Sequence, residues 1–591
     1  MQQSLLMGVA TISAGCAAHA DTGGGGGGGA PKPPRVVSAP ASARRGGLWE
    51  ATLTLDPALD NPFDPEEVAV SATLRGPGGH SLTIPAFYYQ AYVRSLGADG
   101  VQALAAGGPP EWRVRFAPPQ TGVWRYTWSY RYRNGRSENL GQGHLDVSRG
   151  DGPGVVGVDP KAPRRFADRG TGAGYLPIGE NMCWPAQGGT YDYDRWLAKL
   201  SAVGGNYIRI WVNEGRFTLG FEQQPPVGNY RGGMQHAWEL DYVLDACARQ
   251  GVRAVLCLLW HGAFSTRVNP DWTNNPYNVT NGGPCGTPMD FFTDPVAKAL
   301  FRRRLQYMVA RWSAYASVLA WELWNEVNWV DGYAPEPVEA WHREMSQYLQ
   351  TIDPNRHMVS TSYSGTTGDP AVWSLPTIDY VQMHDYHFPT VAERLARVIA
   401  GGRKYAKPVV FGEFGIDWHS GADEVRLDPH GHSLHDALWA AVFAGGAGTA
   451  MTWWWDSYVD PLDLYPVFFG LARVADDVGL AAMHPVPLSS GTGVRADAQT
   501  AVWGLQDAAT SRVALWIKDL SASWQIAAVP PATGRTVTMI GLRSGMPVAR
   551  WLNTTTGAAM EGPTNAVRSP NGWTLTVPTF SRDIAVLLQF A

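Results

Sequence analysis

Two glutamates, Glu326 and Glu413, each close a short apolar run. The first run is Val318-Leu319-Ala320-Trp321-Glu322-Leu323-Trp324-Asn325-Glu326 and the second is Pro408-Val409-Val410-Phe411-Gly412-Glu413-Phe414-Gly415. Runs this continuous in apolar residues read as parallel strands covered on both faces. A carboxylate at the end of such a strand is costly to bury without partners, and the C-terminal ends of barrel strands are where chemistry collects. Two carboxyls there, one protonated and one ionised at the same pH, suit glycoside cleavage, which needs a leaving oxygen protonated and an anomeric carbon attacked or hydrated. Asn325 leaves a neutral amide beside Glu326 for a substrate hydroxyl. Gly412 and Gly415 let the backbone around Glu413 be approached closely. Arg209, in Tyr207-Ile208-Arg209-Ile210-Trp211, and Tyr386, in His384-Asp385-Tyr386-His387, are expected to lower the pKa of Glu413; burial is expected to raise that of Glu326.

Strand–helix alternation over 165–482 must position these groups. Strands are predicted at 174–181, 206–212, 252–260, 318–325, 357–362, 379–386, 408–413 and 449–455. Helices fall between most of them, at 194–203, 240–250, 294–315, 337–351, 391–405 and 434–444, with a short or irregular unit after 362. Eight strands in this length fit an α/β fold, a (β/α)₈ TIM barrel. Residues 47–148 read as an all-β sandwich. Its aromatic-rich runs Trp112-Arg113-Val114-Arg115-Phe116 and Trp124-Arg125-Tyr126-Thr127-Trp128 are predicted to pair as a hairpin across Pro118 to Gly122. Residues 149–164 are Gly- and Pro-rich and read as a linker, and 486–591 as a C-terminal β-sandwich.

At 591 residues the chain exceeds one ordinary domain; length alone suggests roughly three to five, fewer with a barrel. Charged residues are 17% and the formal net charge is −5, so the basic footprint of a nucleic-acid binder is absent. The 26 tryptophans suit a core and also stacking on sugar rings. No apolar run reaches the roughly 18 residues of a membrane span. Residues 1–20 read as a leader in which Ser13-Ala14-Gly15-Cys16 is similar to a lipoprotein cleavage site, with Cys16 as the lipid-anchored residue. Residues 21–46 follow as a Gly/Pro-rich tether. Export, to the cell surface, the periplasm or the medium, is the expected localisation. Cys183 and Cys285 fall in loops on the same face as the glutamates and a pairing between them is left open; Cys247 and Cys257 read as buried thiols.

The constellation resembles clan A glycoside hydrolases, family 5 and its relatives. There the acid/base Glu follows Asn at the end of the fourth strand, here Asn325-Glu326, and the nucleophile ends the seventh, here Glu413. An Arg on the second strand, a His-x-Tyr on the sixth and a Trp on the eighth complete the set, here Arg209, His384 with Tyr386, and Trp453 in preference to Trp454 or Trp455. His261 after the third strand is a weaker match. The resemblance covers the barrel, more than half the chain. It implies Glu326 and Glu413 as catalytic residues, Arg209, Asn325, His261, His384, Tyr386 and Trp453 as substrate-binding ones, a retaining β-glycosidase, and a β-linked glycan of the β-glucan or β-mannan type as partner, with no metal and no cofactor. The retaining assignment places the carboxyls roughly 5–5.5 Å apart. The N-terminal sandwich likewise resembles one found ahead of such barrels.

Beyond these, Glu322 reads as a structural carboxylate facing away from Asn325 by strand alternation. His419, His430, His432 and His435 read as loop and capping residues. Trp184, Trp260 and Trp329 sit on strand-end loops and could line subsites, and Glu214 and Asp417 could meet sugar hydroxyls. A catalytically inactive glycan-binding lipoprotein and a transglycosylase on the same barrel are the alternative functions.

Overall fold

The computed structural model describes residues 35–590 apart from 55–58, 134–136, 151, 153, 213–218, 223–224, 387–388, 508–509, 511 and 542–544. Cys16, most of the tether and Glu214 therefore lie outside the described residues. The central unit is a closed (β/α)₈ barrel. Its first seven strands are Gly179–Asn181, Tyr207–Trp211, Arg253–Cys257, Val318–Glu322, Met358–Ser360 continued as Ser362–Tyr363, Val381–Tyr386 and Val409–Gly415. They run parallel in chain order. Segment 447–452 is the eighth: Met451 N–H donates to the Phe411 carbonyl, and Asn181 N–H donates to that of Thr452, which joins last strand to first. The first three strands are buried throughout, as strands with helices outside and a filled barrel inside must be.

Helices Thr190–Ala202, Met234–Gln250, Pro295–Trp312, Pro335–Ile352, Val391–Gly402 and His432–Phe443 surround it. The third shows why it starts where it does: Asp294 accepts from the Val296 and Ala297 N–H groups, and Pro295 occupies the first helical position. After the fifth strand there is only one turn, Pro370–Trp373. A further helix, Pro466–Val478, follows the eighth strand and was not legible in the sequence because Gly470 interrupts its pattern. A Cβ at Gly470 would lie 1.8 Å from the Thr554 carbonyl oxygen, so that glycine lets the C-terminal domain pack against the helix.

Part of the stretch read as a linker is structured. Val156–Val158 pairs with Phe166–Asp168, and that strand with Gly174–Tyr175. Val156 and Phe166 pack against Tyr207, Val255, Met358 and Val410, plugging the barrel floor opposite the glutamates. The predicted strand 174–181 is therefore two elements, the first in the plug and the second in the barrel.

The N-terminal domain is a two-sheet sandwich, and the predicted hairpin does not form. Glu111–Phe116 pairs with Trp49–Thr54 and Phe87–Tyr89 in one sheet, and Gly122–Tyr132 pairs with Ser137–Ser148 and Val68–Arg75 in the other. Both runs alternate correctly, but their apolar faces meet across the sandwich, with Phe116 and Trp124 ring centroids 5.0 Å apart. Alternation fixes which face is buried and leaves the partner strand open. The sandwich docks on the barrel through Asp241, which accepts from Arg115 (2.8 Å), Arg311 (2.7 Å) and the Trp312 indole (2.7 Å). Burial alone would raise the Asp241 pKa, but the two guanidiniums hold it down at about 2.

The C-terminal domain is one continuous ten-stranded sheet. Its halves fold over a shared core that includes Leu515, Val537, Trp551, Leu575 and Val586. Trp503 and Trp516, on the opposite face, join the barrel's own hydrophobic core. Lys518 pairs with Asp436 and His435 with Asp583 across this junction, which places His435 in a structural ion pair. Cys183, Cys247, Cys257 and Cys285 are free, buried thiols, so Cys183 and Cys285 are not paired.

Candidate active site

Arg209 organises the catalytic face. It points from the second strand into the barrel mouth and is fully buried. Its Nε and Nη2 donate to Glu322 at 2.6 and 2.9 Å, Nη1 to Glu413 at 2.6 Å, and Nη2 also to the Asn325 side-chain oxygen at 2.8 Å. A rigid planar fork is the group that can hold two carboxylates and an amide in one plane. Glu322 also accepts from Ser362 (2.9 Å) and Gln382 (2.8 Å), which makes it the buried structural carboxylate expected. It does not face away from Asn325, however. The strand ends at Glu322, alternation lapses beyond it, and both side chains reach the same guanidinium.

Glu413 accepts from Arg209 and from the Tyr386 hydroxyl at 2.9 Å, and its other near neighbour is His384 Nδ1 at 3.4 Å. Glu326 is 3.0 Å from the same Nδ1 and 3.7 Å from His261 Nδ1. One oxygen of each glutamate and a nitrogen of His384 all lie within 4.8 Å of one another. Glu326 is held at φ 51°, ψ 51°, a left-handed conformation that costs a non-glycine residue of order 1–3 kcal/mol. This turn lets a residue beyond the strand end aim back toward Glu413. Its N–H donates to Ser362 Oγ at 3.2 Å.

Burial raises the pKa of Glu326, as expected, with His261 the main opposing influence. Burial also raises that of Glu413, and here the expectation fails. His384 when protonated, and Arg209, pull it down, as does the hydrogen bond from Arg209, but desolvation of a carboxyl that is 4% exposed outweighs them. Glu413 is bonded directly to a guanidinium and Glu326 is not, which favours the ionised form at Glu413 over Glu326. Burial lowers the His384 pKa to about 4, so near neutrality an uncharged imidazole separates the carboxyls.

Asn325 is buried, and its amide nitrogen lies 3.4 Å from His261 Nδ1; His261 Nε2 is 3.1 Å from Asn269 Oδ1. Of the three tryptophans after the eighth strand, Trp455 is buried and Trp454 donates its indole N–H to the Asp417 carbonyl at 2.7 Å. Trp453 is half-buried beside Trp184 and Trp211, with ring centroids at 5.5 and 5.3 Å. Trp260 is buried against Trp211. Of the eight residues singled out from sequence, Arg209 lies at the middle of the second strand and the others lie in the C-terminal halves of barrel strands or in the turns that follow them. Among the described residues no ligand set forms from the four clustered histidines.

Asn181 was missed. Its amide donates to the Gly412 and Thr452 carbonyls, both at 3.0 Å, and its oxygen accepts from Arg209. It thereby ties the first strand to the seventh and eighth and fixes Arg209. The signal was present: a polar pair, Glu180-Asn181, at the end of a strand.

Its neighbour Glu180 faces outward, fully buried, with neither carboxylate oxygen hydrogen-bonded among the described residues. Burial, reinforced by Asp460, pushes its pKa well above the ordinary 4.5. A folded-state pKa above the unfolded one means stability fully present below about 4.5 and lost as pH rises toward the folded value. Glu180→Gln should therefore lose less stability than the wild type between pH 5 and 8, by urea midpoints. A parallel loss in both proteins would refute this.

Comparison with known proteins agrees with this fold. Residues 186–445 match a family model described as GH family 5 beta-mannosidase-like, and residues 47–131 match one described as a domain of unknown function. Mannan endo-1,4-beta-mannosidase 1 of Oryza sativa subsp. japonica is 25% identical over 333 residues, 46% of this chain and 72% of that protein. Mannan endo-1,4-beta-mannosidase 3 of Arabidopsis thaliana is 22% identical over 278 residues, 38% of this chain and 65% of that one. Among solved structures, a Bacteroides vulgatus ATCC 8482 protein provisionally described as a glycoside hydrolase aligns with a TM-score of 0.62 at 16% identity, covering 93% of this chain and all of that one. That likeness shows the fold.

Proposed function

We propose, for a chain whose barrel is a clan A, family 5-like glycoside hydrolase and which is therefore a glycosidase, that it hydrolyses β-mannan-type polysaccharide with net retention of configuration. The observation that carries the retaining reading is the close approach of the Glu326 and Glu413 oxygens, within 4.8 Å. Retaining enzymes hold their carboxyls about 5–5.5 Å apart, and inverting ones about 6.5–9.5 Å, to admit a water between them. The mannan preference rests on the family model and on the printed activities of the relatives.

In this reading the ionised Glu413 attacks the anomeric carbon. The bond to the leaving oxygen breaks as Glu326 delivers its proton there, and a glycosyl ester forms on Glu413. Glu326, now a carboxylate, takes a proton from water, whose oxygen displaces Glu413 from the same carbon. Two inversions give retention. The neutral His384 keeps charge out of the gap between the acids, and Arg209 stabilises Glu413 whenever it is the leaving carboxylate. Residues 1–20 act in this proposal as export leader, with Cys16 as a lipid anchor, and the Gly/Pro-rich stretch that begins at residue 21 as tether, since polymeric glycans are met outside the cell.

The test is sugar release from β-mannan, β-glucan, cellulose and xylan, with the anomeric proton of nascent product followed by NMR. Release from mannan with β product appearing first is expected. Release from another polymer alone overturns the substrate, and an α product overturns retention.

A further inference from the structure

Among the described residues, every buried arginine but one is paired with an acid. Arg115 and Arg311 share Asp241, and Arg209 holds Glu322 and Glu413. Arg253 lies 3.6 Å from Asp168 and Arg304 3.9 Å from Glu222. The exception is Arg165, which is 2% exposed. Its Nη1 donates to the Gly446 carbonyl at 2.9 Å, while Nε and Nη2 have no hydrogen-bond partner among the described residues. A guanidinium does not shed its charge to escape burial. Desolvation and the nearby charge of Arg403 bring its pKa down only to about 10, so it is a cation at neutral pH. A buried charge without a counter-charge is costly.

Its surroundings are positive as well. Arg165 ends the turn between the plug strands Val156–Val158 and Phe166–Asp168. That turn is fixed by the Arg165 N–H, which donates to the Ala162 carbonyl at 2.8 Å, and by the Asp159 N–H, which donates to the Arg165 carbonyl at 2.9 Å. Arg164 beside it extends Nη2 to the Arg403 carbonyl at 3.4 Å. Arg403 follows helix Val391–Gly402. The three arginines and His484 line a cavity of about 150 Å³ to which no described Asp or Glu contributes. Two acids lie nearby. Asp507 accepts from the His484 N–H at 3.1 Å, but its carboxylate faces Arg512 at 3.5 Å. Glu393 lines an adjoining cavity together with Arg397.

The cavity sits where helices turn back into strands, on the barrel face opposite the glutamates. The C-terminal domain closes it, through His484, Pro485 and Pro487. A Cβ at Gly445, where φ is 90°, would collide with Pro487 and lie 3.4 Å from Arg403 Nη1, so the glycine lets that domain come in against the arginines.

We propose that Arg164, Arg165, Arg403 and His484 form a site for a small doubly charged oxyanion, phosphate or sulfate, which holds the C-terminal domain onto the barrel floor. Guanidinium forks present paired N–H groups that match such an anion, and several cations around so small a space favour two negative charges over one. The site is independent of the glycosidase chemistry.

For the test, the full chain is dialysed against chloride and titrated with inorganic phosphate by calorimetry. Phosphate released on denaturing the purified protein is also counted, which detects an ion held too tightly to exchange. One phosphate per chain, bound or released, is expected, with sulfate competing. Arg403→Gln and Arg165→Met should each weaken binding by about tenfold or more, the scale of one hydrogen bond to a charged group. Arg165→Met removes a buried charge that has no partner, so in chloride it should fold at least as well as the wild type. Phosphate should raise the urea midpoint of the wild type, because the native state alone holds the ion, and leave that of Arg165→Met unmoved. Amide exchange over residues 486–490 should slow with phosphate in the wild type only. No phosphate bound or released would overturn the site. Affinity unchanged in both variants would mean an adventitious ion only and overturn it too, as would an equal rise in midpoint with chloride at matched ionic strength. Phosphate bound through the arginines without slower exchange over 486–490 would overturn the joining of the two domains.

Discussion

Glu413→Ala is expected to lose activity on mannan by on the order of 10⁴-fold or more, as enzymes do when their nucleophile is removed. Azide should restore turnover with an α-glycosyl azide as product. With the side chain gone, a small anion can occupy its place and attack the anomeric carbon once, inverting the β-linkage. Glu326→Ala should behave differently in two respects. Loss of a general acid costs about 10²–10⁴-fold, but only where the leaving group needs a proton. Mannan should therefore show the full loss, while 2,4-dinitrophenyl β-mannobioside, whose leaving group departs unaided, should still form the glycosyl-enzyme rapidly. Azide should then speed the second step and give the β-azide. NMR of the two azides decides the roles: β-azide from Glu413→Ala would reverse the assignment. Equal losses on both substrates in Glu326→Ala would remove its role as acid.

What the sequence made legible and what it hid have separate physical causes. Buried parallel strands advertise themselves as apolar runs, and a polar residue inside one or just past its end has few explanations, so Arg209, Asn325, Glu326 and Glu413 could be found by eye, while His384 was named through the family resemblance. The energetic balance at Glu413 could not. Arg209 and Tyr386 were visible as partners, but the desolvation that outweighs them is set by the whole barrel mouth closing around the carboxyl. The N-terminal hairpin failed because period-two alternation says which face is buried and nothing about which strand lies alongside. Asn181 is a third kind of miss. Its partners are the Gly412 and Thr452 carbonyls, more than 200 residues distant, brought close by barrel closure.

Arg209 carries the second large effect, because one guanidinium is bonded to two buried carboxyl groups. Arg209→Met leaves Glu322, fully buried, without a cation, and removing one member of a buried charged set costs about 3–5 kcal/mol. A lower urea midpoint of that size is expected. Glu322→Gln added to Arg209→Met should recover part of it, since the stranded charge is then gone; additive losses would show that the cost comes from packing. Arg209→Lys keeps a charge without the fork, so it should fold better than the Met variant while satisfying only one of the two acids. The pH profile then reports on Glu413. Arg209 lowers the pKa of that carboxyl, so weakening the contact raises it further. The reaction needs Glu413 ionised, so the acid limb of kcat/KM should move to higher pH in Arg209→Lys while the alkaline limb, governed by Glu326, moves less. A folded Lys variant with an unmoved acid limb would show that Arg209 holds the barrel mouth together without tuning the nucleophile.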